Sequence, residues 1–291
     1  MNKINSNPLY RLFVPKSLRT RIWKSYLQKK ILNHYKNSKE KEIQDLIKNI
    51  RKNGLKIISN KLTRDYNQDE IKVGYDEKTK MKFVDFDNNK KIYFKKNWSK
   101  SRIQKAFNQL LIEQDENSPH RYLTEDFDVD KNTVVADIGC AEANFSLDIV
   151  DRVKHIYLFE TNNVWDQPLK STFQKFKNKV TIVNKKFSNK DTSNTVNGVK
   201  FLNDKGVNFI KIDVDGYEDE VMTNIEEMIK KTNNMKIALC TYHAQDDYNK
   251  YSKKLRSLGF EITHSKGYMI FYWDKNLKYP YLRRGLIRAK K

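Results

Sequence analysis

Cysteine is nearly missing from this chain: Cys140 and Cys240 are the only two among 291 residues. Two thiols do not make a disulfide framework. If each ends a strand, with one strand between them, they stand about 9–10 Å apart, beyond bridging distance. Long apolar runs are missing too. No stretch of about 18 apolar residues exists to span a bilayer, and the N-terminus lacks the apolar segment and small-residue cleavage site of a secretory signal. A reducing cytoplasm is the expected setting. No G-x-x-x-x-G-K-[ST] pattern occurs, which removes the usual cradle for a nucleoside triphosphate.

Acidic residues are scarce at both ends. Residues 1–61 hold 16 Lys/Arg against 3 Asp/Glu, and residues 275–291 hold 7 against none. Residues 62–274 are nearly balanced, at 34 to 33. Most of the net charge of +21 therefore sits in the termini, and any attraction for polyanions would arise there. Within 17–36, Leu18, Ile22, Trp23, Tyr26, Leu27, Ile31, Leu32 and Tyr35 recur at helical spacing. The opposite face carries Arg19, Arg21, Lys24, Lys29, Lys30 and Lys36. Such a basic helix can lie on an anionic membrane surface. The simpler and preferred reading is a helix packed on its own protein, its lysines solvated.

A second helix, with Ile43, Leu46, Ile47 and Ile50 on one face, should stop at Gly54. Residues 71–96 alternate like a small meander, with a turn at Asn88-Asn89. Ser101 is expected to cap the next helix, striped by Ile103, Ala106, Phe107, Leu110 and Leu111. From 133 onward strands (133–138, 155–160, 180–184, 208–214, 236–241) alternate with helices (near 145–152, 167–177, 217–231, 246–258). That order predicts a parallel sheet with helices on both faces. Strand 260–264, a turn at Ser265-Lys266-Gly267 and strand 268–273 then read as an antiparallel hairpin. The expected organisation is a basic helical region (1–61), a small meander with a helix (62–125), a cofactor-binding domain (126–274) and a basic tail (275–291).

The first core strand ends in Asp137-Ile138-Gly139, and the second ends in Glu160, 23 positions after Asp137. This is close to the roughly 20-residue spacing at which a strand-end acid grips a ribose. An adenosine cofactor is expected across the strand ends. Nicotinamide sites want three glycines around a pyrophosphate, whereas Ala141 and Asn144 occupy the other two positions here. S-adenosylmethionine carries no phosphate. Asp137, Gly139, Glu142 and Asn144 suit its methionine end, Glu160 with Thr161 its ribose, and Phe187 with Ser188 its adenine.

Asp137-Ile138-Gly139, Tyr157-Leu158-Phe159-Glu160 and above all Phe209-Ile210-Lys211-Ile212-Asp213-Val214-Asp215-Gly216-Tyr217-Glu218 resemble the FkbM-type methyltransferases. Their fourth-strand signature reads roughly F-I-K-I-D-V-E-G-x-E. The resemblance spans about residues 118 to 273. It implies an α/β, Rossmann-like class I methyltransferase fold: a seven-stranded, mostly parallel sheet with an antiparallel C-terminal hairpin, beside a smaller α+β N-terminal region. It also implies S-adenosylmethionine-dependent O-methylation, commonly of a sugar or other hydroxyl on a glycan or natural product. Two positions depart from the pattern: Ala143 stands where Gly or another small residue is usual, and Asp215 replaces Glu.

Methyl transfer needs an acceptor oxygen held in line and, for a weakly nucleophilic hydroxyl, a base. His243, just past the fifth strand, is the first candidate base; His120 is a second, equally suited to packing near the cofactor. Asp213 is expected to be catalytic, because an acid at an apolar strand end is hard to explain by structure alone. Asp213, Asp215 and Glu218 together also permit ligand orientation, helix capping by Glu218 or a Mg²⁺ or Ca²⁺ site; no metal is expected. Cys140, Cys240, Trp165 and Phe173 read as core. Three functions remain open: a glycan O-methyltransferase steered to the cytoplasmic leaflet, a nucleic-acid methyltransferase, and a non-catalytic cofactor-binding scaffold. Against nucleic acid stands the acidic, proline-free Asp213-Val214-Asp215-Gly216, where base methylation favours Asn/Asp-Pro-Pro-aromatic.

Overall fold

The computed structural model describes residues 15–59, 66–87, 89–274 and 277–291. Asn88, half of the expected Asn88-Asn89 turn, lies outside them. Two helices come first, α1 (Lys16–His34) and α2 (Lys41–Asn53), the latter stopping at Gly54 with φ 74°. An antiparallel meander follows, β1 (Val73–Asp76), β2 (Met81–Asp85) and β3 (Lys91–Tyr93), and then α3 (Lys100–Glu113). The cap of α3 is Ser99 and not the expected Ser101: its side chain accepts from Arg102 N.

The alternating segment supplies β4 (Val134–Ile138), α4 (Asn144–Ile149), β5 (His155–Phe159), α5 (Asp166–Thr172) and β6 (Val180–Val183). A small parallel pair, β7 (Lys186–Ser188) and β8 (Thr195–Asn197), then leads to α6 (Gly198–Leu202) and β9 (Phe209–Ile212). The expected helix at 217–231 is two, α7 (Glu218–Asn224) and α8 (Glu226–Lys231). The chain closes with β10 (Lys236–Cys240), α9 (Asp247–Ser257), β11 (Glu261–His264) and β12 (Leu286–Lys290).

Seven strands form one sheet in the order β11-β12-β10-β9-β4-β5-β6, parallel except for β12. This is the Rossmann-like methyltransferase arrangement expected from the sequence. Strands β4 and β9 are buried at every position, as expected of mostly apolar strands in a doubly covered parallel sheet, and the two charged residues they bury, Asp137 and Lys211, pair with each other. From β4 the chain winds outward through β5 and β6, then returns to β9 on its other side. Ligands bind at such a reversal, beyond the carboxyl ends of the strands.

The antiparallel C-terminal pair is present, but its second strand is not 268–273. It is β12, drawn from the residues expected to be a basic tail, and it inserts between β10 and β11. Arg288 is buried there because its guanidinium donates to the Tyr122 and Arg121 carbonyls. Arg283 is buried too, donating to the carbonyls of Tyr242 and His243 and pairing with Asp274. Both guanidiniums are engaged by partners within the fold.

One face of the sheet is covered by the meander and α3 together with α4 and α5, through Ile92, Phe94, Ile103, Phe107, Phe145 and Leu169. The other is covered by α6 to α9, through Leu202, Val221, Ile229 and Leu255. Trp165, Phe173 and both free cysteines are buried, as expected. Helices α1 and α2 pack through Leu27, Ile31, Leu46 and Ile50 on Ile270, Leu277 and Leu282, in the long link between β11 and β12. No helix among the described residues is long and apolar enough to cross a membrane.

Candidate active site

A crevice of about 700 Å³ opens over the carboxyl ends of β4, β5 and β9, lined by Gly139, Ala141, Glu160, Thr161, Phe187 and Asp213 among others. Its floor is the turn after β4. Gly139 adopts φ 80°, and a Cβ there would lie 2.0 Å from the Asp213 carbonyl oxygen. The glycine is therefore required by the neighbouring strand end, a nearer constraint than the ligand approach expected from the sequence. Ala141 (φ 45°) and Ala143 (φ 57°) are also left-handed, which costs an L-residue about 1–2 kcal/mol each.

Hydrogen bonds hold that turn against β5. Gly139 N and Cys140 N donate to the Phe159 carbonyl, at 2.9 and 3.2 Å. Ala141 N donates to Glu160 Oε2 at 3.0 Å, and Asn162 N to Glu160 Oε1 at 2.7 Å. The Glu160 carboxylate is thus fixed by two backbone donors, and each oxygen retains acceptor capacity toward the crevice.

Asp137 is placed differently. It is fully buried, paired with Lys211 Nζ at 3.0 Å and accepting from Ser146 Oγ at 2.7 Å. Lys211 also donates to the Gly139 carbonyl at 2.7 Å. Burial works against the Lys211 cation, but Asp137 and Asp213 outweigh it and raise its pKa. Asp137 anchors the turn from behind and does not line the crevice. Asn144 lines a separate cavity beside α3, with Leu110, Arg121 and Phe145. Ser188 is turned to Glu220, donating at 3.1 Å, while Phe187 packs edge-on to Phe159. Burial pushes the Glu142 carboxyl up to about 7, opposed by its own backbone hydrogen bond, with Glu113, Lys95 and Glu160 as charged neighbours.

At the β9 end, four side chains converge on Asp213. Tyr122 OH donates to Oδ2 at 3.1 Å and Tyr242 OH to Oδ1 at 3.3 Å. His120 Nε2 stands 3.5 Å from Oδ2, and His243 Nε2 stands 3.7 Å from Oδ1. Burial alone would raise the Asp213 pKa; His120, Lys211 and His243 together hold it well below the usual carboxylate range. His243 has two more acids, with Nδ1 2.9 Å from Glu218 and Nε2 3.5 Å from Asp215. Burial disfavours its cation, yet Asp215, Glu218 and Asp213 prevail and push its pKa up to about 10. The three carboxylates favour the imidazolium form of His243, which donates a proton and does not accept one. Glu218 is buried and also accepts from Val214 N at 3.1 Å, a bond to the loop before α7 and not to the helix's own first N–H groups.

Asp213, Glu218 and His243 offer ligand atoms within 4.8 Å of one another, as do His120, Asp213 and Cys240. In both sets the ring nitrogens already face carboxylates, and ion pairing accounts for the arrangement. Tyr122, Tyr242, Lys211 and Lys95 were not singled out from the sequence. Lys211 carried a legible signal, a lysine inside the apolar run Phe209–Ile212, which can be buried only beside a carboxylate. Lys95 carried none. Its Nζ lies 4.1 Å from the Trp165 ring centroid and 5.3 Å from that of Trp98, within the field of Glu142 and Glu160.

No family model matches the sequence, and no curated protein matches it. Solved structures are similar in fold. The FkbM methyltransferase of Methylobacillus flagellatus KT is 14% identical with a TM-score of 0.43, over 56% of this chain and 44% of that one. The chain thus matches less than half of that protein's length. The tRNA m1G37 methyltransferase of M. jannaschii is 13% identical with a TM-score of 0.40, over 72% and 56% of the two chains. TrmK of M. capricolum, in complex with S-adenosyl-homocysteine, is 17% identical with a TM-score of 0.35, over 56% and 64%.

Proposed function

We propose that this protein is an S-adenosylmethionine-dependent O-methyltransferase acting on a hydroxyl of a sugar or glycan. The observation that carries the reading is Glu160: a strand-end carboxylate, fixed by Ala141 N and Asn162 N, facing a crevice at the sheet's reversal point. That carboxylate, accepting from two hydroxyls, suits a ribose diol. A pyrophosphate is poorly served, because the methyl of Ala141 stands where close backbone approach would be needed. When bound, S-adenosylmethionine supplies the electrophilic methyl group.

The protein's own groups divide the remaining work. Phe187 provides an apolar wall for adenine, with Thr161 beside the ribose acid. Glu142 suits the ammonium of the methionine end, and Lys95, which follows β3 and lies within the field of Glu142 and Glu160, suits its carboxylate. Asp213 accepts a hydrogen bond from the acceptor hydroxyl and aims its oxygen into the crevice. Its depressed basicity makes it an orienting group; an alcohol oxygen becomes strongly acidic only as the new carbon bond forms, and the proton can leave late. Asp137 and His120 act behind the crevice wall, through Lys211 and Asp213. Asp213 and Asp215 at the acceptor end disfavour phosphate-rich chains, which supports a glycan over nucleic acid.

Calorimetry with S-adenosylmethionine and, in parallel, NAD tests the cofactor: binding of the first alone is expected, and binding of NAD alone would sink the reading. Methyl transfer from labelled cofactor to neutral oligosaccharides, with RNA alongside, tests the acceptor. Transfer to RNA alone would move the function to nucleic acid.

A further inference from the structure

Among the described residues, seven large hydrophobic side chains are exposed, and four lie on α1 or on the link packed along it. These are Leu18 (46% exposed), Ile22 (38%), Trp273 (53%) and Tyr279 (60%). They belong to one flank of the molecule. Trp23 Nε1 donates to the Tyr272 carbonyl at 3.0 Å, and Lys24 lies over the Tyr272 ring at 4.7 Å. One residue on, the Trp273 ring is 4.8 Å from that of Tyr272. At the other end of α1, His34 contacts the Tyr279 ring at 4.4 Å and Tyr35 OH donates to the Pro280 carbonyl at 2.6 Å. Residues 272–274 and 277–280 therefore lie beside α1, near Trp23 at one end and Tyr35 at the other. The seam between them is filled by Leu27 and Ile31 against Ile270, Leu277 and Leu282. The core is complete without the four exposed side chains.

The same flank is strongly basic. Residues 16–39 contain eight Lys/Arg and no acid. Arg21, Lys29, Lys30, Lys36 and Lys39 are exposed, as is Lys278 on the adjoining link. Among the described residues no ion pair engages a cation of α1, in contrast to Arg283 and Arg284 near the C-terminus, which pair with Asp274 and Glu42. The helix packs on its own protein through Trp23, Leu27 and Ile31, the preferred reading of the sequence, but Leu18 and Ile22 of the same expected stripe turn outward. The outward groups are Leu18, Ile22 and two aromatics contributed by a distant part of the chain.

We propose that this flank, α1 with residues 272–274 and 277–280, is a docking surface for an anionic lipid bilayer. Lysine and arginine near a negatively charged leaflet each add attraction, and Trp and Tyr favour the headgroup level, with an apolar body and a polar tip. Leu18 and Ile22 favour a bilayer over a nucleic acid. A nucleic acid would use the cations and the aromatic faces but gains nothing from two exposed aliphatic side chains. A bilayer removes both from water. This inference stands independently of the methyl-transfer reading, since it uses no crevice residue.

The test is cosedimentation of the full chain with vesicles of phosphatidylcholine alone and of phosphatidylcholine mixed with phosphatidylserine, at low and at physiological salt. Binding to the mixed vesicles is expected to exceed binding to the neutral ones about tenfold or more and to weaken with salt. The double variant L18D/I22D is expected to lose about tenfold in vesicle binding, because it places two acids at the interface. Both sites are exposed, so its circular dichroism and melting temperature should match the parent, and these are measured alongside. Equal binding to neutral and anionic vesicles, or none, overturns the proposal. So does a folded L18D/I22D protein that binds as the parent does. Sedimentation velocity showing a dimer that L18D/I22D dissolves would make the flank an interface between copies and also overturn it, as would tight RNA binding with no vesicle binding.

Discussion

Replacing Gly139 with alanine tests the geometry on which the crevice depends. The added Cβ would lie 2.0 Å from the Asp213 carbonyl oxygen and 2.9 Å from its carbon, both backbone atoms that no rotamer change can move. Relieving the contact requires the β4 turn and the β9 end to part by about 1 Å, an overpacking strain of roughly 1–3 kcal/mol. The φ of 80° adds about 1–2 kcal/mol for an L-residue in the left-handed region. The expected loss is therefore about 2–5 kcal/mol, a large part of the ~5–15 kcal/mol that a typical domain possesses. Because the obstructing carbonyl belongs to Asp213, its bonds from Tyr122 and Tyr242 at 3.1 and 3.3 Å should lengthen as well. Urea denaturation followed by circular dichroism measures the loss as a shift in midpoint at unchanged slope. A drop below about 1 kcal/mol would refute the close approach. The companion variant Ala141→Gly should move the other way. It relieves the cost of φ 45°, less the entropy an unfolded glycine gains, for a net stabilisation of about 0.5–1 kcal/mol. Two losses from the same turn would contradict the left-handed assignment at 141.

Lys95→Met should weaken S-adenosylhomocysteine binding by roughly 10–100-fold, the worth of one charged hydrogen bond, and leave 5′-methylthioadenosine, which lacks the amino-acid end, unaffected; equal losses for both ligands would remove Lys95 from the carboxylate role. The Glu142 carboxyl, pushed up to about 7 by burial, is partly protonated at neutral pH and should release its proton to the buffer when a ligand ammonium pairs with the carboxylate. Calorimetry in buffers of differing ionisation enthalpy should accordingly show proton release near pH 7, abolished in Glu142→Gln; no release in the parent protein would count against the pairing. His243 has a folded pKa of about 10 against 6.5 unfolded, so its stabilising contribution is complete below about pH 6.5 and disappears as pH rises through 10. Chemical denaturation from pH 6 to 10.5 should show that decline in the parent and a flatter profile in His243→Gln, and identical slopes would deny His243 its three-carboxylate partnership.

Local pattern was enough to locate the strands and the acids at their tips. Val134–Ile138 and Phe209–Ile212 are apolar except for Asp137 and Lys211, and a run of that kind bounded by Gly139 or by Asp213 reads as a buried parallel strand. Glu160 could be named for the same reason: its place depends on strand length alone. What was not legible depends on partners far away in the chain. Tyr268–Trp273 alternates like a strand but forms only isolated bridges at Met269, with Ile58 and Arg283. Leu286–Lys290 looks like a charged tail, yet becomes an interior strand because Arg288 finds the Tyr122 and Arg121 carbonyls. Asp137 pointed to a ligand until Lys211, one strand over, was seen to claim it. His243 looked like a base because its three acids come from other segments and are invisible in its neighbourhood of sequence. Strand identity is a property of a few consecutive residues and their burial. Charge state, partner and strand order are set by Coulomb and hydrogen-bond terms between residues that only the folded chain brings within a few ångströms, and those the tertiary structure alone decided.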